Sequence, residues 1–217
     1  MVVARTVELS LRTFLSAHAQ ISQSDPHPIF AGGARFVPPS LQGRIDHEAF
    51  DELAELGLTR GEHLSDTLVD TFEILDRPQV LLHAYIRTGE EQYGTLVAGF
   101  DRDGVVAGCQ DDRVWLRPMK RGDTHSTLLV RELPEYPSAR FTPFSIAQED
   151  NRSEEARQLK EILDLPCCGL GELHSGNTLP VSYLDTEDGR VGFALSGPAT
   201  NRYITVFPGR ELATRLG

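Results

Sequence analysis

Three groups of side chains in this sequence have residue types that chemistry would use, and the first is a pair of thiols near a histidine. Cys168 follows Cys167 directly and lies six residues before His174. A Cys–His nucleophile needs a stabilised thiolate and a third, orienting group, but the neighbouring residues are apolar or acidic. A zinc site needs four ligands in closely spaced pairs, and the sequence offers no second pair. We interpret both cysteines as packing residues and predict no metal.

The other two groups are a carboxylate cluster and a glycine-rich segment. Asp185, Glu187 and Asp188 flank a predicted tight turn, where Asp and Gly are favoured for backbone reasons, so turn formation explains them better than acid–base catalysis. Gly169-Leu-Gly171 opens a strand-like run after a helix, which reverses the strand-to-helix context of a pyrophosphate-binding loop, and the third glycine is missing. The seven histidines show no paired spacing. The sequence therefore predicts no catalytic residues and no cofactor.

Composition narrows the class of protein further. The 217 residues carry a net charge of −11, and such an acidic chain without a Lys/Arg run repels phosphate backbones and anionic lipid surfaces. We therefore expect neither nucleic acid nor membrane as a partner. No apolar run approaches the roughly 18 residues of a membrane span, and the N-terminus lacks a signal-peptide pattern. Together with an odd number of cysteines, this predicts a cytoplasmic protein.

The spacing of apolar residues and the positions of Gly and Pro predict the helices and strands that would position a binding surface. A short strand running into a helix is expected over Thr6–Gln20, and the Pro- and Gly-rich stretch Ser22–Gly43 is predicted to be a loop. Helices are predicted over Asp46–Leu56 and Glu62–Asp76, the second opened by a capping box at Thr59-x-x-Glu62, so that the two form an αα-hairpin. An antiparallel meander should follow, over Gln79–Arg87, Tyr93–Asp101, Gly104–Cys109 and Arg113–Pro118.

A helix capped by Asp123 should then bury Leu128, Leu129 and Leu133. The same order returns in the second half. A capping box at Asn151-x-x-Glu154 predicts a helix to about Leu165, with Leu159, Ile162 and Leu163 on one face. Strands are expected over Cys167–His174, Leu179–Asp185, Arg190–Leu195 and Arg202–Val206, and a short last helix from Pro208 should carry Leu212 and Leu216.

The predicted fold class is therefore α+β, with a central antiparallel sheet and helices at either end. Each half reads helix, four strands, helix, which suggests a quasi-twofold repeat. We expect one domain over residues 1–217, with pseudo-halves at about 45–137 and 150–217.

Several short segments of the sequence, and the order in which they occur, resemble the ESX (type VII) secretion-associated chaperone family, EspG, of actinobacteria. That family commonly has a GxG-type start to a strand and a D-T-x-x-G-R turn near the C-terminus. The resemblance covers about Ile45 to Leu216. The segments that carry it are Phe50–Leu58, Leu75–Pro78, Val114–Pro118, Gly169–Leu173 and Tyr183–Arg190.

The resemblance implies a cytosolic chaperone, not an enzyme, that binds the exposed apolar tip of a PPE protein in its PE–PPE pair. It implies an antiparallel sheet with a helical bundle at each end, and partner contacts through the sheet, one loop and the C-terminal bundle. Partners of PE/PPE or WxG type are expected, with the chaperone itself a monomer or homodimer. Carried to this chain, the contact residues are Thr88, Glu90, Gln92 and Tyr93 of the loop and Leu159, Ile162 and Leu163 of the helix.

Two other functions remain open from the residues themselves. A homo-oligomeric scaffold would cover its apolar patch with another copy of itself. A small-molecule-binding protein would show a deep pocket with convergent polar groups. Simple core packing is also an alternative explanation of Leu159, Ile162 and Leu163, because the apolar stripe of a helix usually faces the interior.

Overall fold

A computed structural model describes residues 2–33, 38–176, 178–198 and 201–216 of the chain. The chain forms two compact units. The first contains the residues up to Leu81 together with Tyr93–His125, and the second contains Leu82–Gln92 and the residues from Ser126 onward. Each unit has its own cluster of buried apolar side chains.

Six helices and twelve strands lie in the described part of the chain. The helices are α1 Leu11–Ile21, α2 Pro39–Glu55, α3 Asp66–Asp76, α4 His125–Arg131, α5 Glu154–Leu163 and α6 Leu212–Leu216, with 3₁₀ turns at Pro28–Gly33 and Gly209–Glu211. The strands are β1 Val7–Ser10, β2 Thr59–Arg60, β3 His63–Leu64, β4 Val80–Thr88, β5 Glu91–Phe100, β6 Asp103–Gln110, β7 Arg113–Pro118, β8 Phe144–Ala147, β9 Cys167–Ser175, β10 Val181–Thr186, β11 Gly189–Ser196 and β12 Tyr203–Pro208.

The first unit packs helices against an antiparallel sheet in the order β1-β7-β6-β5. The predicted strand-to-helix start is confirmed, because β1 runs directly into α1 at Ser10, whose hydroxyl accepts from the Thr13 amide at 3.1 Å. Apolar side chains of α1 and α3 meet the sheet, and the Phe14 ring lies 5.1 Å from that of Phe72. Glu52 of α2 ties this helix to α1 by accepting from the Ser10 amide at 2.7 Å.

The predicted capping box at Thr59 and Glu62 is wrong. These residues belong to the β2–β3 hairpin, which turns at Gly61 with φ +62°, and α3 begins only at Asp66 after Ser65. A glycine in the left-handed region favours a tight turn over the first turn of a helix. The two helices of the expected αα-hairpin are therefore separated by a small β-hairpin.

The predicted loop over Ser22–Gly43 is also partly wrong. A 3₁₀ turn occupies Pro28–Gly33, and α2 begins at Pro39 rather than at Asp46. Proline is tolerated in the first turn of a helix because the amide that it lacks has no partner there. Residues 34–37 of the predicted loop lie outside the described residues.

The second unit has an antiparallel sheet in the order β4-β9-β10-β11-β12-β8. The four strands predicted in this half are present within about two residues of their expected ends, and β8 pairs at the edge with β12 without having been predicted. Leu128, Leu129 and Leu133 are buried as predicted, and so are Leu212 and Leu216.

The start of α5 corrects the second predicted capping box. Ser153, not Asn151, is the N-cap, and its hydroxyl accepts from the Ala156 amide at 3.0 Å. Asp150 accepts from the amides of Arg152 and Ser153 at 2.9 and 3.1 Å, so residues 150–153 form a turn before the helix. An Asp side chain that bonds its own backbone two residues on is a common alternative to helix.

The α+β class with antiparallel sheets is confirmed. In chain order α3 is followed by four strands and α4, and α5 is followed by four strands and α6. The quasi-twofold symmetry suggested by this order, and the single domain over residues 1–217, stay predictions.

Candidate partner-binding surface

A buried ion pair explains the carboxylate of the β10–β11 hairpin. Asp185 and Arg190 are cross-strand partners, and the guanidinium donates to both carboxylate oxygens at 2.6 and 2.8 Å. Arg190 also donates to the Pro134 carbonyl at 2.9 Å and lies 4.4 Å from the centre of the Tyr183 ring. With both partners engaged in this way, Asp185 holds the hairpin together, while Glu187 and Asp188 are exposed at the turn.

The glycines of β9 make room for this cluster. Gly171 is the cross-strand partner of Tyr183, and Gly169 that of Asp185. A Cβ on Gly171 would run into the Tyr183 ring, and one on Gly169 would lie 3.2 Å from an oxygen of Asp185. The Gly169-Leu-Gly171 segment is therefore the space that the buried tyrosine and the ion pair occupy, on one face of the sheet.

The opposite face of the same sheet is open over β4, β9 and β10. The register places Tyr85, Glu172, Ser182 and Phe193 in one row across β4, β9, β10 and β11. Tyr85 is 41% exposed, and Leu170, one row away on β9, is 44% exposed. A large apolar side chain in the middle of a sheet normally packs against another layer. We call the open surface around this row, from Tyr85 to Phe193, the open sheet face.

Two histidines border the open sheet face. His83 and His174 are cross-strand partners, and their rings stack in parallel with centres 4.4 Å apart. Nε2 of His174 lies 3.0 Å from Oε1 of Glu172, and the Tyr85 ring meets both imidazoles edge-on. Burial, followed by the negative charge of Glu172, raises the pKa of Tyr85.

An apolar groove continues the open sheet face toward α5. It holds about 270 Å³ and is lined by Leu159, Leu163, Pro180, Ser182, Phe193, Leu195 and Ile204. Leu159 and Ile162 pack against the apolar cluster of the second unit. Leu163, by contrast, is 54% exposed, and no residue of α5 is fully buried. The helix thus leaves part of its apolar stripe beside the groove without cover.

Both the sequence and the fold of the chain match known proteins. The model of the EspG family matches residues 10–216 of the chain. The chain belongs to the EspG family. The fold also matches a solved Mycobacterium tuberculosis protein, the type VII secretion system chaperone EspG5 in complex with a PE25–PPE41 dimer, with a TM-score of 0.69 at 9% sequence identity over 96% of this chain and 93% of that chain. No curated protein matches the sequence at a significant level.

In this EspG-family chain the predicted contact residues of the helix lie on α5. The structure brings Leu159 and Leu163 together in the lining of the groove, while Ile162 faces a neighbouring cavity beside Ala139 and Val191. Leu159 and Ile162 are half-buried. Packing therefore accounts for part of the predicted stripe and leaves Leu163 unexplained by it.

The predicted loop contacts lie on the β4–β5 hairpin. Its turn is only two residues long, at Gly89 and Glu90, and Gly89 takes the left-handed conformation with φ +57°. Glu90 and Gln92 are exposed, and Thr88 is half-buried. Tyr93 is half-buried against the ring of Trp115, 6.2 Å away.

Sequence reasoning missed the residues of the open sheet face. Tyr85, Leu170 and Glu172 were included in predicted strands but not as surface. The signal was the alternation in β9, where Gly169 and Gly171 occupy one face and Leu170 and Glu172 the other. A strand that carries its glycines on the buried face must place its larger side chains outward.

The cysteines of this EspG-family chain lie at the start of β9. The thiol of Cys167 donates to the Gly169 carbonyl at 3.2 Å, and a hydrogen bond with Cys168 raises the pKa of Tyr136. His174 is engaged with Glu172 instead. Within the described ranges, no three His, Cys, Asp or Glu side chains are grouped so that they could hold a metal ion, and no helix has the length and apolar character that crossing a bilayer requires.

Proposed function

We propose that this chain is a cytosolic chaperone of type VII secretion that binds the apolar tip of a helical PE/PPE client without catalysing a reaction. The observation that carries the proposal is the apolar groove beside α5, where a helix with a strongly amphipathic sequence has no fully buried residue. A surface of this kind fits the apolar face of a partner helix.

Burial of apolar area supplies the binding free energy. Among the described residues of the second unit, five large hydrophobic side chains are more than 40% exposed. Tyr85, Leu163 and Leu170 lie on α5 or on the open sheet face, and the other two are Leu179 and Tyr203. Covering apolar surface contributes about 25 cal/mol per Å². A client helix in the groove would also cover apolar residues that its own fold leaves exposed, which keeps the client from aggregating.

Family membership supports the choice of client. EspG5, which shares the fold, is described in complex with a PE25–PPE41 dimer. The acidic net charge of −11 is compatible with a protein client and opposes binding to nucleic acid. We propose that Leu159, Ile162 and Leu163 contribute one side of the contact, and that the hairpin residues Thr88, Glu90, Gln92 and Tyr93 contribute another.

Co-expression with PE–PPE pairs from the same genome tests this proposal. We expect a stable 1:1:1 complex in size-exclusion chromatography with light scattering. Leu163→Asp should weaken it about tenfold or more, because a side chain that the client would bury becomes charged. Leu41→Asp is the matched control, since Leu41 is exposed to a similar degree (39%) in the first unit, and it should bind like the wild type.

Two results would overturn the proposal. One is the absence of a complex with every PE–PPE pair tested. The other is unchanged binding by Leu163→Asp, with circular dichroism showing that the variant is folded. If the chain alone forms a dimer that Leu163→Asp dissociates, a second copy covers the groove and the scaffold function is the correct one.

A further inference from the structure

We infer that the open sheet face binds a Lys or Arg side chain of the client against Tyr85 and Glu172, next to the apolar residue that enters the groove. This inference rests on the proposed function and adds the chemistry of the client: an amphipathic helix with one cationic residue at a defined distance from its apolar anchor.

Tyr85 and Glu172 together form a site for a cation. They are cross-strand partners on β4 and β9, and both side chains are nearly half exposed, Tyr85 at 41% and the Glu172 side chain at 48%. A carboxylate beside an aromatic face offers a cation both an ion pair and a cation–π contact. An Arg or Lys stem also packs on the tyrosine ring while its charged end reaches the carboxylate.

The other groups on this face leave Glu172 as the acceptor. Arg87 lies two residues after Tyr85 on the same face of β4, opposite Leu170 rather than Glu172. β10 contributes the uncharged Ser182 and Leu184 to this face. Asp185 belongs to the opposite face, in its ion pair with Arg190. Among the described residues of β4, β9 and β10, Glu172 is thus the acidic side chain of the open face.

The row sets the spacing that the client must have. Glu172 and Phe193 are separated by two strand-to-strand steps through Ser182, which is about 10 Å. A helix lying along the row rises about 1.5 Å per residue, so about seven residues span this distance, and residues i and i+7 share a face. The client helix should therefore carry Lys or Arg about seven positions from the apolar residue that contacts Phe193.

His174 already contacts the carboxylate of this site. Its Nε2 lies 3.0 Å from Oε1 of Glu172, so the client cation must share the carboxylate with the imidazole. His83 and Tyr85 on β4 face the same imidazole.

Titration calorimetry with two kinds of probe tests the inference. The first is the PE–PPE pair from the co-expression experiment, and the second is a pair of synthetic amphipathic helical peptides with Leu at one position and either Arg or Gln seven positions on. Glu172→Gln should weaken binding of the PE–PPE pair and of the Arg peptide about threefold to tenfold. It should also make both affinities less dependent on the salt concentration. Glu149→Gln, the same charge change at an exposed position after β8, should leave both affinities unchanged.

The outcomes separate this inference from the proposed function. If Leu163→Asp abolishes binding of the PE–PPE pair while Glu172→Gln binds like the wild type, the chaperone function stands and the cation site is wrong. If no PE–PPE pair binds, the proposed function is wrong and the peptides decide: equal affinity for the Arg and Gln peptides overturns the cation site.

Discussion

Removing the carboxylate of Asp185 should destabilise the fold strongly. Asp185 is 1% exposed and Arg190 6% exposed, and two short hydrogen bonds of 2.6 and 2.8 Å join their side chains. Asp185→Ala leaves the Arg190 charge buried between Tyr183 and the Pro134 carbonyl without its counter-ion. Breaking a buried ion pair on one side costs about 3–5 kcal/mol.

This cost translates into measurable shifts. For a chain of this size, about 2–4 °C of melting temperature corresponds to 1 kcal/mol, so the variant should melt about 6–20 °C below the wild type. A urea titration followed by circular dichroism should move its midpoint down by about 1–2 M. The exposed pair of Arg157 and Glu154, whose side chains are 69% and 83% exposed, gives the control, because Glu154→Ala should cost less than about 1 kcal/mol.

Two results would contradict this expected loss of stability. A loss below about 1 kcal/mol for Asp185→Ala would mean that water reaches the guanidinium, as it does for surface pairs. Full stability of Arg190→Lys would also contradict it, because an ammonium group cannot reproduce the two parallel hydrogen bonds of a guanidinium.

Three further perturbations test the supports of the two units. Burial alone would raise the pKa of Glu52, but hydrogen bonds, including those from Ser10, hold it below the ordinary value of 4.5. Because a lowered pKa stabilises the folded state at pH values above it, Glu52→Gln should be less stable than the wild type at pH 7 in urea titrations. The difference between the two proteins should shrink as the pH falls below 4.5. Ser153→Ala removes the N-cap of α5 and should lower stability by about 1 kcal/mol, measured by the same titration, and equal stability would contradict the cap. Gly171→Ala should cost about 1–3 kcal/mol by pushing on the buried Tyr183 ring, whereas a neutral effect on the melting temperature would show that the ring can move.

Local sequence patterns predicted the positions of strands better than the residues at which helices begin. The alternation of apolar and polar residues, together with turn residues, located β7 at its observed bounds and the β10–β11 hairpin within a residue or two. This works because a strand with one buried face has apolar residues at every second position. The capping boxes failed at Thr59 and Asn151, where a left-handed glycine at 61 and the turn of Asp150 took the backbone elsewhere. Both choices depend on hydrogen bonds a few residues away, which spacing alone does not rank.

The site was predictable in part for a different reason. Leu159 and Leu163 could be found because they recur at helical spacing. Tyr85 and Glu172 could not be found in this way, because they are 87 residues apart in the chain and only the pairing of β4 with β9 brings them together. Which of two possible faces a strand leaves open depends on what covers the other face, and here the buried Tyr183 decides it.

Titrating a PE–PPE pair from the same genome into the purified chain at several temperatures tests directly whether the chain binds such a client. We expect one binding site per chain, a dissociation constant below about 1 µM, and a negative heat-capacity change from burial of the groove. Leu163→Asp should lose the binding heat and the heat-capacity change together, while Leu41→Asp should keep both. Absence of binding heat with every such pair at about 10 µM protein, or a heat-capacity change that Leu163→Asp leaves intact, would contradict it.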